Sequence, residues 1–179
     1  VPKNEKQRYI ASWIAALILA GIPAALASRI DGATVTITAE APADPLDKYR
    51  KAKTLTDEEL VDLLSLVGFE GKALKIAWAV AKKESNGRPK AHNDDLATGD
   101  DSYGIFQINM LGSLGDDRRE KFGLKKNTEL FDPVENAKAV FYMTAKGTNW
   151  GSWGYGPYAH DGDPSEPKIE QWLEKFPTN

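Results

Sequence analysis

The segment AWAVAKKESNG, from Ala77 to Gly87, sets an acid in line with an apolar helical face just before the helix stops. At roughly 100° per residue, Glu84 lies about 20° from Ala73 and Ala77 and about 40° from Val80, whereas Lys82 and Lys83 turn away from that face. A carboxylate held against apolar surface has its charged form disfavoured, and the negative end of the helix dipole acts in the same direction. Such a group can hold a proton near neutral pH and deliver it, which is general-acid chemistry. The competing reading is a helix-end glutamate that reaches into solvent beside Lys83, since charged side chains are rarely buried. A second polar set follows in SYGIFQIN, where Ser102, Gln107 and Asn109 stand among apolar residues. Polar groups spaced along an apolar wall orient a ligand, or they satisfy a buried turn.

These residues need elements to hold them, and the pattern around them is helical. Thr56-Asp57-Glu58-Glu59 has the form of a capping box, and Leu60, Leu63, Leu64 and Val67 follow at helical spacing before Gly68. The next helix is expected from about Lys72 to Ser85, stopped by Asn86-Gly87 with Pro89 beyond. A third opens at Asp132-Pro133-Val134-Glu135, where Asp132 caps and Pro133 suits the first turn; it carries Val134, Ala137, Val140, Phe141 and Ala145 on one side to Gly147. Ile169, Trp172, Leu173 and Phe176 mark a short amphipathic helix. The expected fold class is mainly α, with at most a small β element.

The chain has 179 residues, a net charge of -3 and no cysteine. That length suits one principal domain. The charge provides no clustered basic face for nucleic acid, and without cysteine there is neither a disulfide framework nor a thiolate metal site. With His92 and His160 as its two histidines, the chain has little material for an imidazole metal site either.

The first forty-odd residues differ in character. Ile10 to Ala27 carries no charge; at ~1.5 Å per residue a helix of that length reaches roughly 27 Å, just short of a bilayer's hydrocarbon core. It reads as a marginal membrane span, as a secretory signal ending at Ala25-Leu26-Ala27, or as a buried helix kinked at Gly21 and Pro23 that packs on a partner. Ala33 to Ile37 alternates like a short strand and runs into Pro42 and Pro45. The expected division is an N-terminal hydrophobic anchor or assembly segment with linker over 1–45, and the main domain over 46–179.

Taken in order, Glu84-Ser85-Asn86-Gly87-Arg88-Pro89-Lys90-Ala91, Ser102-Tyr103-Gly104-Ile105-Phe106-Gln107-Ile108-Asn109, Phe131-Asp132-Pro133 and Asn136-Ala137 resemble the soluble lytic transglycosylase family. The resemblance covers roughly residues 55 to 158 and implies a lysozyme-like fold that cleaves peptidoglycan. GDDSYGIFQINMLGSLG is also similar to versions of this domain carried in bacteriophage particles. Position by position, the resemblance makes Glu84 the catalytic acid and base. It sets Ser102 and Gln107 beside the N-acetylated sugar, and Asn136 at a structural or cleft position. Tyr103 and Asn109 join the expected sugar-binding set. A tyrosine near the acid is also implied; NWGSWGYGPY offers Trp150, Trp153, Tyr155 and Tyr158, whose ring faces suit sugar C–H faces or a packed loop.

Glycoside cleavage usually takes two carboxyls. Asp94, Asp95, Asp100 and Asp101 are the candidates for the second, in a loop that otherwise reads as a solvated turn. The resemblance implies another route, in which the muramic acid's own 6-hydroxyl attacks and leaves a 1,6-anhydro end, so that Glu84 suffices. The same loop has oxygen ligands for calcium but lacks EF-hand spacing; no metal and no cofactor is expected. The implied partner is the peptidoglycan glycan strand, in the setting of a phage virion or a bacterial envelope. A hydrolytic muramidase, or a structural component that only binds glycan, are the alternatives.

Overall fold

The computed structural model describes residues 27–30, 33–36, 43–156 and 168–177. The chain divides into two compact units, Val1–Asp44 and Pro45–Asn179. In the first, β1 (Ala27–Ile30) and β2 (Ala33–Thr36) form an antiparallel hairpin in which Ala27 pairs with Thr36 and Ile30 with Ala33. The apolar run from Ile10 lies outside the described residues except for Ala27, which belongs to β1. Among the described residues no helix is long and apolar enough to cross a membrane.

The second unit is built on α1 (Asp57–Val67) and α2 (Gly71–Ser85). The Thr56 hydroxyl accepts from Glu59 N at 3.2 Å and the Glu59 carboxylate accepts from Thr56 N at 2.8 Å, so the capping box is complete. Gly68 ends α1 at φ 115°, and a Cβ there would stand 3.1 Å from the Phe141 ring. Leu60, Leu63 and Leu64 then pack inward.

α2 departs from the single apolar stripe read in its sequence. Ile76 through Ala81 are all buried, so its middle is enclosed on every side. Lys82 and Lys83 are drawn in as well, with side chains 11% and 16% exposed. Long aliphatic stems let lysines cover apolar surface while their ammonium groups find partners. Lys82 reaches Asp57 at 2.7 Å and lies over the Trp78 and Trp172 rings.

Beyond α2 the chain forms an antiparallel sheet of β3 (His92–Asn93), β4 (Ser102–Tyr103) and β5 (Ile108–Asn109). α3 (Gly112–Phe122) follows; only Gly115 is buried in it, and with no apolar stripe it gives no periodic signal in the sequence. A short 3₁₀ helix at Asn127–Phe131 leads into α4 (Pro133–Met143), whose first turn is capped by Asp132 accepting from Val134 N at 2.9 Å. α4 is shorter than the sequence pattern implies. Thr144 closes it, and Ala145 and Lys146 already have φ of 48° and 62°, so Ala145 lies outside the helical face. A 3₁₀ helix at Gly151–Trp153 and α5 (Ile169–Leu173) are the last elements among the described residues. α5 packs on α2, with Trp172 edge-on to Trp78 at 6.5 Å.

Asn136, fully buried on α4, holds the sheet to the helices. Its Oδ1 accepts from Phe106 N at 3.0 Å, and its Nδ2 donates to Tyr103 O at 2.8 Å and Leu130 O at 3.0 Å. Gly104 lies so close that a Cβ would stand 2.3 Å from Leu130 O and 2.4 Å from Asn136 Nδ2. Replacing Asn136 by Ala leaves three buried backbone groups without partners at about 1 kcal/mol or more each. The expected outcome in urea unfolding is a loss of roughly 3 kcal/mol, whereas an exposed control such as Lys138→Ala stays within about 0.5 kcal/mol.

Candidate active site

Three elements place Glu84. α2 ends abruptly after Ser85 because Asn86, at φ 56°, donates its N–H to Lys82 O, and Gly87, at φ 71°, donates to Ala81 O. Both residue types tolerate the left-handed region. Glu84 is thereby fixed in the last turn. Ser85, buried beside it, donates its hydroxyl to Ile105 O at 2.8 Å and accepts from Arg88 N at 3.1 Å, which ties the end of α2 to the turn between β4 and β5. On the far side of that turn Trp153 Nε1 donates to Phe106 O at 2.9 Å.

The result is a cleft of about 420 Å³ lined by Glu84 and Lys83 from α2, Asn93, Ser102 and Asn109 from the sheet, Asp100 and Gln107 from its turns, and Ser152 and Trp153. The sheet register accounts for the row of polar groups. Asn93 pairs with Ser102 and Ser102 with Asn109, so these three share one face. His92 and Tyr103 form the neighbouring pair and share the other face. There the His92 ring lies 4.3 Å from that of Tyr103, and Tyr103 packs on Phe131 at 5.2 Å.

The two adjacent aspartates diverge in the same way. Asp100 enters the cleft, accepting from Asn93 Nδ2 at 2.6 Å and from the Ser102 hydroxyl. Asp101 meets His92 Nε2 at 2.9 Å. Burial pushes the Asp101 carboxyl up, hydrogen bonds from His92 and Tyr103 pull it down, and the balance lies below the ordinary carboxylate value. Asp94 and Asp95 stay in an exposed turn, where Asp95 accepts from Ala97 N at 3.2 Å. Among the described residues no group of three or more His, Asp or Glu is placed to hold a metal ion.

Glu84 is four-fifths buried, its side chain 20% exposed, and Lys83 Nζ lies 3.2 Å from its Oε1. The reading that turned Lys83 away from the apolar face that Glu84 continues is thus corrected, because the lysine stem bends into the same cleft. An ammonium at this distance favours the ionised carboxylate, against the burial acting on the same side chain.

Of the residues expected to bind sugar, Ser102, Gln107, Asn109 and Trp153 come together around Glu84. Gln107 sits at φ 48°, a strained conformation for a residue with a side chain. Its amide nitrogen donates to Gly104 O at 2.9 Å and Ala91 O at 3.2 Å, leaving Oε1 as its acceptor for a ligand. Tyr103 lies on the opposite face of the sheet, 8% exposed. Trp150 is a core residue, 3% exposed, with Nε1 donating to Gly147 O at 2.9 Å and its ring stacked on Phe69. Tyr155 lines a different cavity, of about 330 Å³, with Lys72, Ala73 and Asn149. Tyr158 lies outside the described residues. Lys83, Asn93 and Ser152 enter the cleft without having been singled out in the sequence; the pairing of Asn93 with Ser102 emerges only from the register of two-residue strands.

The comparisons with known proteins speak to the family and the fold. A family model described as a lysozyme-like domain matches residues 62–155, which runs from within α1 to Tyr155. No curated protein and no solved structure matches the chain. With more than half of its length matched, the chain belongs to the lysozyme-like domain family and is by class a peptidoglycan glycosidase.

Proposed function

We propose that this chain is a lytic transglycosylase that cleaves the β-1,4 bond between N-acetylmuramic acid and N-acetylglucosamine, with Glu84 as general acid and then general base. The observation that carries the reading is the position of Glu84, four-fifths buried in the wall of a cleft otherwise lined mainly by neutral hydrogen-bonding groups. Glu84 protonates the glycosidic oxygen as the C1–O bond breaks. The substrate's N-acetyl oxygen stabilises the positive charge that develops at the anomeric carbon. The muramoyl 6-hydroxyl then attacks that carbon, and Glu84 takes its proton, which closes the 1,6-anhydro ring and restores the acid.

Ser102, Gln107 and Asn109 present hydroxyl and amide groups to the sugar, and Trp153 contributes to the wall. The cleft shape supports a strand-binding role, since such walls orient a ligand through a few convergent polar groups.

One observation favours a second reading, a hydrolytic muramidase. Asp100 lines the same cleft as Glu84 and accepts hydrogen bonds on both its oxygens, from Asn93 and Ser102. A carboxylate so held could activate water in an inverting reaction or stabilise the cation. The biological setting proposed with either chemistry is local wall opening by a phage particle, or remodelling at a bacterial envelope. The uncharged run from Ile10 to Ala27 would serve as the attachment segment.

Two substitutions test these readings on purified sacculi, with the released fragments weighed by mass spectrometry. Glu84→Gln is expected to fold and still bind glycan while release falls by about 10²–10⁴-fold; undiminished release would remove Glu84 from the chemistry, and glycan binding without cleavage by the wild type would leave only a binding role. Asp100→Asn is expected to keep 1,6-anhydromuramic ends with less than about a tenfold loss of rate, whereas reducing ends in the wild type, lost by about 10²-fold or more in this variant, would make the protein a hydrolase.

A further inference from the structure

The charged groups on and around the cleft are unevenly engaged. Lys82 is turned to Asp57 at 2.7 Å, Arg88 Nε donates to Ser85 O at 2.9 Å, and His92 meets Asp101 behind the sheet. Asp100 is held by Asn93 and Ser102. Among the described residues Lys83 is the cation that lines the cleft itself, and it does so against Glu84 at 3.2 Å. Consecutive residues of a helix do not ordinarily face one another. That Lys83 and Glu84 nevertheless meet, with side chains 16% and 20% exposed, follows from both being drawn into one partly enclosed space.

We propose that Lys83 is a positioning residue that sets the proton affinity of Glu84 and thereby the pH range in which the cleft can donate a proton. The inference rests on the acid role proposed for Glu84 above. Burial by α2 and the sheet turn favours the neutral carboxyl, and the Lys83 ammonium favours the carboxylate. Asp100, the other charged group in the cleft lining, acts against ionisation of Glu84 because the two would repel as anions. The remaining described lining groups, from Asn93, Ser102, Gln107, Asn109, Ser152 and Trp153, carry no charge. Among the described residues of this lining, Lys83 therefore supplies the positive charge. Its removal takes away a contribution that opposes both burial and Asp100.

The sign follows directly. A general acid works only while protonated, so the alkaline limb of the rate profile tracks loss of its proton. A cation beside it moves that limb to lower pH, and neutralising the cation moves it back up. Activity at a fixed neutral pH is then a poor readout, because a variant could gain protonated acid and lose packing at once. The position of the limb separates the two effects.

The experiment uses the full chain and compares wild type, Lys83→Met, Lys83→Arg and Glu84→Gln. It follows the initial release of soluble fragments from purified sacculi at low loading, from acid to mildly alkaline pH, with thermal melting of each variant in the same buffers. Lys83→Met is expected to shift the alkaline limb upward by roughly one pH unit, and Lys83→Arg to leave it near the wild-type position because the charge is kept. A Lys83→Met profile lowered equally at every pH, or an Arg variant that shifts like Met, would overturn the inference and leave Lys83 a packing residue. If Lys83→Met melts too low to assay, Lys83→Gln gives the same comparison. An unmoved limb with an inactive Glu84→Gln rejects the role of Lys83 alone; an active Glu84→Gln rejects the acid role and the inference with it.

Discussion

The buried amide of Asn136 is the interaction on which the cleft depends. It supplies one acceptor and two donor contacts where water does not reach, to Phe106 N, Tyr103 O and Leu130 O, and so joins α4, the short helix before it and the turn between β4 and β5. In a medium of low polarity each of these bonds is stronger than in water, and each missing partner costs more. A hydrophobic residue of similar volume could fill the space but not replace the bonds. The same constraint explains Gly104, whose absent side chain allows the amide and the Leu130 carbonyl to close on the backbone. Once that turn is held, its next two carbonyls are taken by Ser85 and Trp153, one from each side of the cleft. Glu84 precedes Ser85 in the chain, so the position of the acid follows from the position of the turn.

What was legible in the sequence was legible for local reasons. The Thr56–Glu59 box, the Asn86-Gly87 stop and the Asp132-Pro133 start each act within one helical turn, so residue type alone announces them. The apolar periodicity of α1 and α4 places their buried faces for the same reason, except at Ala145, where the backbone has already left the helix. The sheet could not be read in this way. Strands of two residues carry no alternation, and their pairing is fixed by Asn136 and the turns rather than by their own composition. α3 is silent because nothing apolar recurs along it.

The site was legible to a different degree in each of its parts. Glu84, Ser102, Gln107 and Asn109 stand out as polar residues in apolar surroundings, and they line the cleft together. Tyr103 stands out equally, yet one step along a strand reverses a side chain, and it packs on His92 and Phe131 behind the sheet. Asp100 and Asp101 are indistinguishable by type and are parted by the same step. Among Trp150, Trp153 and Tyr155, spacing between glycines says little about direction: the first is core, the second is cleft wall and the third borders another cavity. Lys83 was missed because an angular projection treats a side chain as a fixed spoke, whereas a lysine stem is long enough to return across a neighbouring position.

The backbone at Gln107 brings these points together. A φ of 48° is unfavourable for any residue with a Cβ, and it persists because the residue's own amide spans Gly104 O and Ala91 O while Asn136 and Ser85 grip the turn on either side. The strain is stored where the chain must bend sharply enough to bring a polar side chain beside the end of α2. A relaxed turn would satisfy Gln107 more easily but would leave the carbonyls of Ile105 and Phe106 without their side-chain donors. The scaffold therefore accepts one unfavourable torsion to keep several buried hydrogen bonds. The polar wall of the cleft is in this way held in place in advance, which for the glycan-cleaving role proposed above is the condition for hydrogen-bonding groups to favour a developing charge rather than reorganise around it.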